Sequence, residues 1–586
     1  MRTLTVLKST LRRWPLSVSA IGFLAISALM FQHIWLASPL HSTTCACADP
    51  SLFIWMFEWA RVALSHGLNP FYSHAMFVPA GINLLSNTGL AGLTVPFVPL
   101  TALFGPVFAS NCALLLAPVA SALSMTWVAR RWVGNHVAAS LAGLLYGFSP
   151  LVLFHAGVGH LNLIFLPVPP LVLACCDELF WRREHSPRKV GLALAGLAIW
   201  QFFLSTEILT ILVLASALSL LTLGTWALLT DREALVTALR HARPGLVVAV
   251  GVATATLLAP TIFALAGPSH YSGAIWPQSH FASASLRSFF EITPGTDYWW
   301  TPMTQSFARP TLIGVPILVL CALGLWRGSL RMRVAVVLSA LLAWCVLGAH
   351  YSFSLWHWIG NKSLLANVMN ERFSALLFLP LALVVALFLD EGLAGRSRGQ
   401  GEFLRTLCVL VLLFPLLQNA TRALPYGSSA VWEPAWYHAQ TPEQLRGRVI
   451  LGFPFFNVSA NLLAVQATHH MEYSLVGGTT PQWLPERQGA ASTGYRVIWW
   501  LASTVAPSPD GQVFSPTSVS SIDRQTFTRA LSLWGVSDIV IPWNPGPNTS
   551  LVARAPREIM TWIAGALGRP PLREHQAWVW HRSANS

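Results

Sequence analysis

The strongest constraint on this chain is the recurrence of apolar runs about 17–25 residues long, each enough to cross roughly 30 Å of hydrocarbon as a helix. They fall at about 16–37, 107–129, 137–156, 161–180, 190–204, 207–229, 245–266, 311–326, 334–349, 374–392 and 404–418. Inside a bilayer the backbone must satisfy its own hydrogen bonds, so runs of this kind read as helices. The segment 90–104 is also apolar, but Pro96 and Pro99 interrupt it, and it reads as interfacial or re-entrant. The expectation is a polytopic α-helical membrane protein with about eleven transmembrane helices. Charge content supports this: only 10% of the 586 residues are charged, against about 25% in soluble domains.

The net charge of +13 would point to nucleic acid in a soluble chain, but its distribution excludes that reading. With the N-terminus inside, nineteen Lys and Arg fall in the short inner segments before residue 419. Five fall in the outer loops: Arg61, Arg287, Arg309, Lys362 and Arg372. That asymmetry is the positive-inside rule and requires no polyanion. The first run follows Lys8, Arg12 and Arg13 and is longer than the apolar part of a signal peptide, so it reads as a retained anchor. Eleven crossings then leave the C-terminus outside, and the expected location is the inner (plasma) membrane. The inner loops are short and basic and lack a Gly-rich phosphate loop, which argues against an ATP-driven pump.

Six of the eight Cys lie in or beside apolar runs and act as small apolar residues. Cys45 and Cys47 lie outside, where a disulfide between them would close a strained ring. Beyond Ala420 the chain turns polar and rich in Pro and Gly. Strands are expected at 448–456, 537–541 and 576–580, with a helix at 525–534. The chain thus divides into a transmembrane domain, 1–418, whose first outer loop (38–106) carries an interfacial helix, and an extracytoplasmic α/β domain, 419–586.

Asp49-Pro50 heads the Trp-rich segment Ser51-Leu52-Phe53-Ile54-Trp55-Met56-Phe57-Glu58-Trp59 just past the first run. A carboxylate at the membrane boundary can act as general base toward a hydroxyl attacking C1 of an activated sugar. The same Asp-Pro pair also suits the first turn of an amphipathic helix for purely local reasons. Glu58, Asn69, Asn83 and Asn87 in this loop are candidates for contacting sugar hydroxyls, although Asn is also an ordinary turn former. His155 and His160 flank a short outer turn and are candidates for binding phosphate. Arg372, beside Glu371, can fork onto two phosphate oxygens, and Lys362 is a second cation for the same task. Glu207, in Ser205-Thr206-Glu207, is a further acidic candidate. The outer loops hold no Asp-x-Asp pair, two His do not make a zinc site, and no metal or other cofactor is expected.

This pattern of inner N-terminus, long first outer loop opening on an acid and an interfacial helix, later outer-loop cation and outer tail resembles the GT-C superfamily of membrane glycosyltransferases. The segment from Cys45 to Thr88 is similar to bacterial membrane proteins assigned to that superfamily. The resemblance implies an inverting transferase that moves a sugar from a polyprenyl-phosphate donor to a cell-envelope glycan, lipid or protein acceptor. Asp49 would take the place of the catalytic carboxylate, and no motif singles out the sugar. The same residues leave two other classes open: a transporter or flippase for lipid-linked glycans, and a non-catalytic assembly protein. A flippase would be expected to line a path with charged residues inside its spans, and these spans hold few.

Overall fold

A computed structural model describes residues 16–44, 48–86, 89–270, 284–290, 310–360, 365, 367–391, 409, 424–453, 462–478, 521–544 and 556–582. Cys45, Cys47, Asn87, Lys362 and nearly all of the run at 404–418 lie outside these residues. Contacts divide the chain into two compact units. The first gathers Met1–Gln32, Ala113–Leu258 and Trp276–Tyr426, and the second His33–Cys112, Ala259–Ile275 and Gly427–Ser586.

Helices occupy every expected span that falls among the described residues, but several are broken or short. Five are long and apolar enough to cross a membrane, or six if one bent pair is a single span. That pair, His136–Gly147 and Pro150–Gly157, is bent by 44°. Pro150 starts the second helix and pushes Ser149 into an extended conformation, because a residue before proline is disfavoured in the helical region. Val315–Arg327 has 13 residues, about 20 Å of helix. The segment 90–104 forms two short helices, Ala91–Thr94 and Val98–Phe104, separated at Pro96.

In the first unit, Ser374–Glu391 is the central helix, with every side chain from Ser374 to Leu387 buried. A helix apolar all round can be satisfied in this way, and it packs on His136–Gly147, Val315–Arg327 and Leu330–Val346. At its far end the Asp390 carboxylate accepts the backbone N–H groups of Gly134 and Asn135, at 3.1 and 2.9 Å. Arg131 donates to Glu178 at 2.7 Å and Arg182 to Asp177 at 2.9 Å. The acids at the basic end of the bundle therefore serve as caps and ion-pair partners. Among the described residues, the only metal-type grouping is Glu178, Glu184 and His185, and Arg131 already engages Glu178.

Helix Pro187–Leu204 crosses Arg232–Ala266 at Gly191 and Gly245, where a Cβ on Gly191 would run into the Gly245 backbone. Gly191→Val should accordingly force these helices apart. The expected cost is roughly 1–3 kcal/mol, the usual penalty of overpacking, measured as a lower melting temperature of the detergent-solubilised protein.

The second unit centres on a five-stranded sheet. Short pairs precede it: β1 (Ser42–Thr43) with β4 (Ser429–Ala430), and β2 (Tyr72–Ser73) with β3 (Ile82–Asn83). The main sheet has the order β6-β5-β7-β9-β8, from β5 (Val449–Gly452), β6 (Ser474–Leu475), β7 (Asp538–Pro542), β8 (Leu572–Glu574) and β9 (Ala577–His581). β5 runs parallel to β6 and β7, and β9 is antiparallel to β7. All five residues of β7 are buried, and after Asp538 they are apolar without alternation, the pattern of a strand covered on both faces. Helices Ser521–Leu533 and Pro556–Leu567 supply Phe527, Leu531, Ile559 and Ile563 to a core with Ile539, Ile541 and Trp580. Helix Leu462–Thr468 packs against helix Ala48–Ser65. The edge of β6 is occupied by the first loop: Leu475 N–H donates to Ala75 O at 2.8 Å, and Val78 N–H to Leu475 O at 3.3 Å.

Candidate functional site

Each unit carries its own group of the residues singled out from sequence. In the second unit, Asp49 lies half-buried in the first turn of helix Ala48–Ser65, with Pro50 beside it. A carboxylate there lies at the positive end of the helix dipole, a placement that stabilises the helix. The same helix is apolar along most of its length, with Leu52, Phe53, Ile54, Trp55 and Phe57 buried.

Glu58 belongs to this helix but not to an open surface. Its side chain is fully buried, and Oε1 accepts from Arg61, from Arg61 Nε at 3.0 Å and from His470 Nδ1 at 2.8 Å. Glu58, a candidate for contacting sugar by its sequence, instead ties the helix to the chain after Leu462–Thr468. His470 and the following Met471 both hold left-handed backbone, at φ 55° and 61°, a costly conformation for residues with a side chain.

The hydrogen bond from His470 to Glu58 raises the His470 pKa, with burial opposing. Arg61 and Glu472 are the other charged groups acting on it. Because the folded value is raised, this contact contributes its full stability below the unfolded pKa near 6.5. That contribution is lost as pH climbs through the folded value. The melting temperature of wild type should therefore fall between about pH 6 and pH 8 more steeply than that of His470→Gln. Parallel curves for the two proteins would count against the contact.

Asn83 is likewise occupied. Its amide donates to Phe263 O at 2.8 Å and Pro268 O at 3.1 Å, while Oδ1 accepts Leu85 N–H and Ser86 N–H. All its hydrogen-bonding positions serve to hold the loop, which corrects the expectation of a sugar contact. Asn69 is exposed, and its Oδ1 accepts Phe71 N–H at 2.9 Å in a side-chain turn.

In the first unit the structure brings together residues far apart in sequence. Arg372 Nη1 donates to one carboxylate oxygen of Glu207, and Met369 N–H donates to the other at 3.1 Å. Both ion-pair partners are largely buried, with side chains 20% and 18% exposed. Arg372 sits in the short 3-10 turn Asn370–Phe373 just before helix Ser374–Glu391, and Glu371 in the same turn is buried. Asn370 fixes that turn by donating to Val346 O at 3.0 Å. Glu207 lies in the first turn of Thr206–Thr230, whose cap is Ser205.

His155 and His160 meet as well. Their Nδ1 atoms are 2.8 Å apart and the rings 5.0 Å between centroids. One Nδ1 must donate and the other accept, so at least one ring is neutral. His155 is buried and its Nε2 has no partner among the described residues, and the charge of Arg372 acts on it. The left-handed Gly159, φ 72°, closes the turn that folds His160 back. Gln201, which sequence reasoning missed, sits one turn before Ser205, with its Nε2 donating to Ser205 O at 3.3 Å and its Oε1 buried.

The same unit contains an apolar cavity of about 280 Å³, lined among others by Leu212, Leu220, Leu338, Leu376, Leu383 and Trp181. Leu376 is one helical turn beyond Arg372, and Leu383 two turns further, so the cavity follows the central helix away from the Arg372 turn.

The architecture is that of a multi-pass membrane protein, and its fold is shared with solved structures of GT-C type. Among solved structures the chain is similar to the arabinofuranosyltransferase AftD from Mycobacteria, at 17% identity and a TM-score of 0.58 over 98% of this chain. It is also similar to the oligosaccharyltransferase of Archaeoglobus fulgidus tethered to an acceptor peptide, at 12% identity and a TM-score of 0.52. That match covers 91% of this chain and 69% of the archaeal one. The chain spans 40% of the length of the arabinofuranosyltransferase. No protein-family model and no curated protein matches it by sequence.

Proposed function

We propose that this chain is an inverting glycosyltransferase that moves a sugar from a polyprenyl-phosphate donor to a cell-envelope glycan, lipid or protein acceptor at the outer face of the plasma membrane. The observation that carries the reading is the Arg372–Glu207 pair, with His155 and His160 in the same unit of a GT-C fold. The apolar cavity of that unit suits a hydrocarbon tail, and a guanidinium suits the phosphate.

In this reading Asp49 takes the proton from the acceptor hydroxyl as its oxygen bonds to C1 of the sugar. The bond from C1 to the phosphate oxygen breaks, its electron pair leaves with the lipid phosphate, and the anomeric centre inverts. Arg372 offsets the charge that grows on the departing phosphate, the kind of electrostatic assistance that often dominates catalysis. Glu207 fixes the guanidinium, and His155 and His160 supply further polar contacts. The transport alternative draws no support from the described spans, where Asp177, Glu178 and Asp390 are used in ion pairs and caps.

The test is to supply membranes containing the protein with a panel of radiolabelled polyprenyl-phosphate pentoses and hexoses and follow label into envelope material. Transfer that depends on the protein supports the reading. Protein-dependent movement of intact labelled lipid across the bilayer, with no transfer from any donor, would replace it with the transport alternative.

A further inference from the structure

We propose that Gln466 is a positioning residue for the transfer reaction, its buried amide holding the helix that carries Asp49 against the five-stranded sheet. The inference rests on the reading of Asp49 as the base.

Gln466 is fully buried in helix Leu462–Thr468. Its Oε1 accepts the indole N–H of Trp55 at 2.6 Å. Its Nε2 donates to Ala75 O at 2.7 Å and to Tyr473 O at 2.6 Å. One amide thus joins three pieces of chain: the Asp49 helix, the first loop and the turn entering β6. The orientation is forced, because a flipped amide would set N–H against N–H on one side and oxygen against two carbonyls on the other. Only a side chain with one acceptor and two donors at this reach satisfies all three partners. Glutamate would face two carbonyl oxygens with a charge, and leucine would take from the Trp55 indole and the Ala75 and Tyr473 carbonyls the hydrogen bond each makes with Gln466.

Trp55 is six residues past Asp49, about 9 Å along the helix, and it stacks on Trp59 with centroids 5.8 Å apart. Glu58, three residues further along and on the same side of the helix, makes the second tie through His470. Ala75 O, the acceptor for Gln466, also receives Leu475 N–H from the edge of the sheet. The helix is therefore tied toward the sheet at two points on one face, both C-terminal to Asp49. A shift of about 1 Å at a reacting group can cost roughly a hundredfold in rate, so slack at the Trp55–Gln466 contact would reach the chemistry without touching it.

The experiment uses full-length protein in nanodiscs, with the radiolabelled polyprenyl-phosphate sugar that wild type consumes. Trp55→Phe removes one N–H and keeps the ring, so the fold should survive; Gln466→Glu is the harsher companion. For Trp55→Phe, amide exchange across residues 49–58 should rise about fivefold, the factor expected for one lost hydrogen bond. Turnover should drop roughly tenfold or more, with KM for the donor within about twofold. Wild-type exchange and turnover in Trp55→Phe would overturn the proposal, as would lost turnover with unchanged exchange. Full activity of Asp49→Asn would remove the base assignment alone, and the exchange measurement would still decide whether Gln466 holds the helix.

Discussion

Asp49→Asn protein, inserted in membranes at wild-type level, should transfer sugar about 10²–10⁴ times more slowly than wild type, the range expected on losing a general base. Asparagine keeps the size and can still accept a hydrogen bond, so helix Ala48–Ser65 should form as before. What disappears is the capacity to take a proton from the acceptor hydroxyl. Asp49→Glu should recover part of the rate, since the base is restored at a displaced position. The measurement is initial rate with the donor identified from the panel, beside a melting curve showing that the fold is unchanged. Wild-type turnover in Asp49→Asn would end the assignment and reduce Asp49 to a first-turn residue chosen for the helix alone.

Arg372→Ala should lose roughly 10²–10³ in turnover, comparable to deleting a main electrostatic contact in an enzyme. It should also lower stability, because Glu207 would lose its cation and keep, among the described residues, the Met369 amide as partner, and a poorly solvated carboxylate without its cation is costly. Arg372→Lys separates these effects. Lysine keeps the charge but not the planar fork, so stability should return further than turnover. Glu207→Gln should raise KM for the donor, because the guanidinium loses the partner that orients it. If Arg372→Ala turns over within a few-fold of wild type, the phosphate is held elsewhere.

Much of the helical framework was legible because span-length apolar runs have few alternatives, and the observed breaks fall where proline or a polar turn stands, at Pro96 and Pro150. The strands β7 and β9 were legible from their β-branched and aromatic runs. Arg372, Glu207, His155 and His160 could each be marked by chemical type at the end of a span, but the Arg372–Glu207 pairing links residues 165 positions apart, and no local pattern encodes such a partner. Asn83 and Glu58 were misread for the same reason: polar residues in a loop look available until the segments that occupy them are in place. Gln466 left no signal, standing as one amide in Leu-Leu-Ala-Val-Gln-Ala-Thr, and only the fold brings the Trp55 indole to it.

The seam between Ala75–Val78 and Leu475 has a consequence for biogenesis. The β6 border of the sheet is completed by a stretch synthesised some four hundred residues earlier, so the later-made strand finds its neighbour only if that earlier stretch is already in place. A tail expressed alone would present that border bare, an invitation to stick to other chains, and would lack the tryptophan and glutamate that Gln466 and His470 grip. Secretion of the tail as an independent piece should yield aggregates, and supplying residues 33–112 in the same molecule should be the route to soluble material.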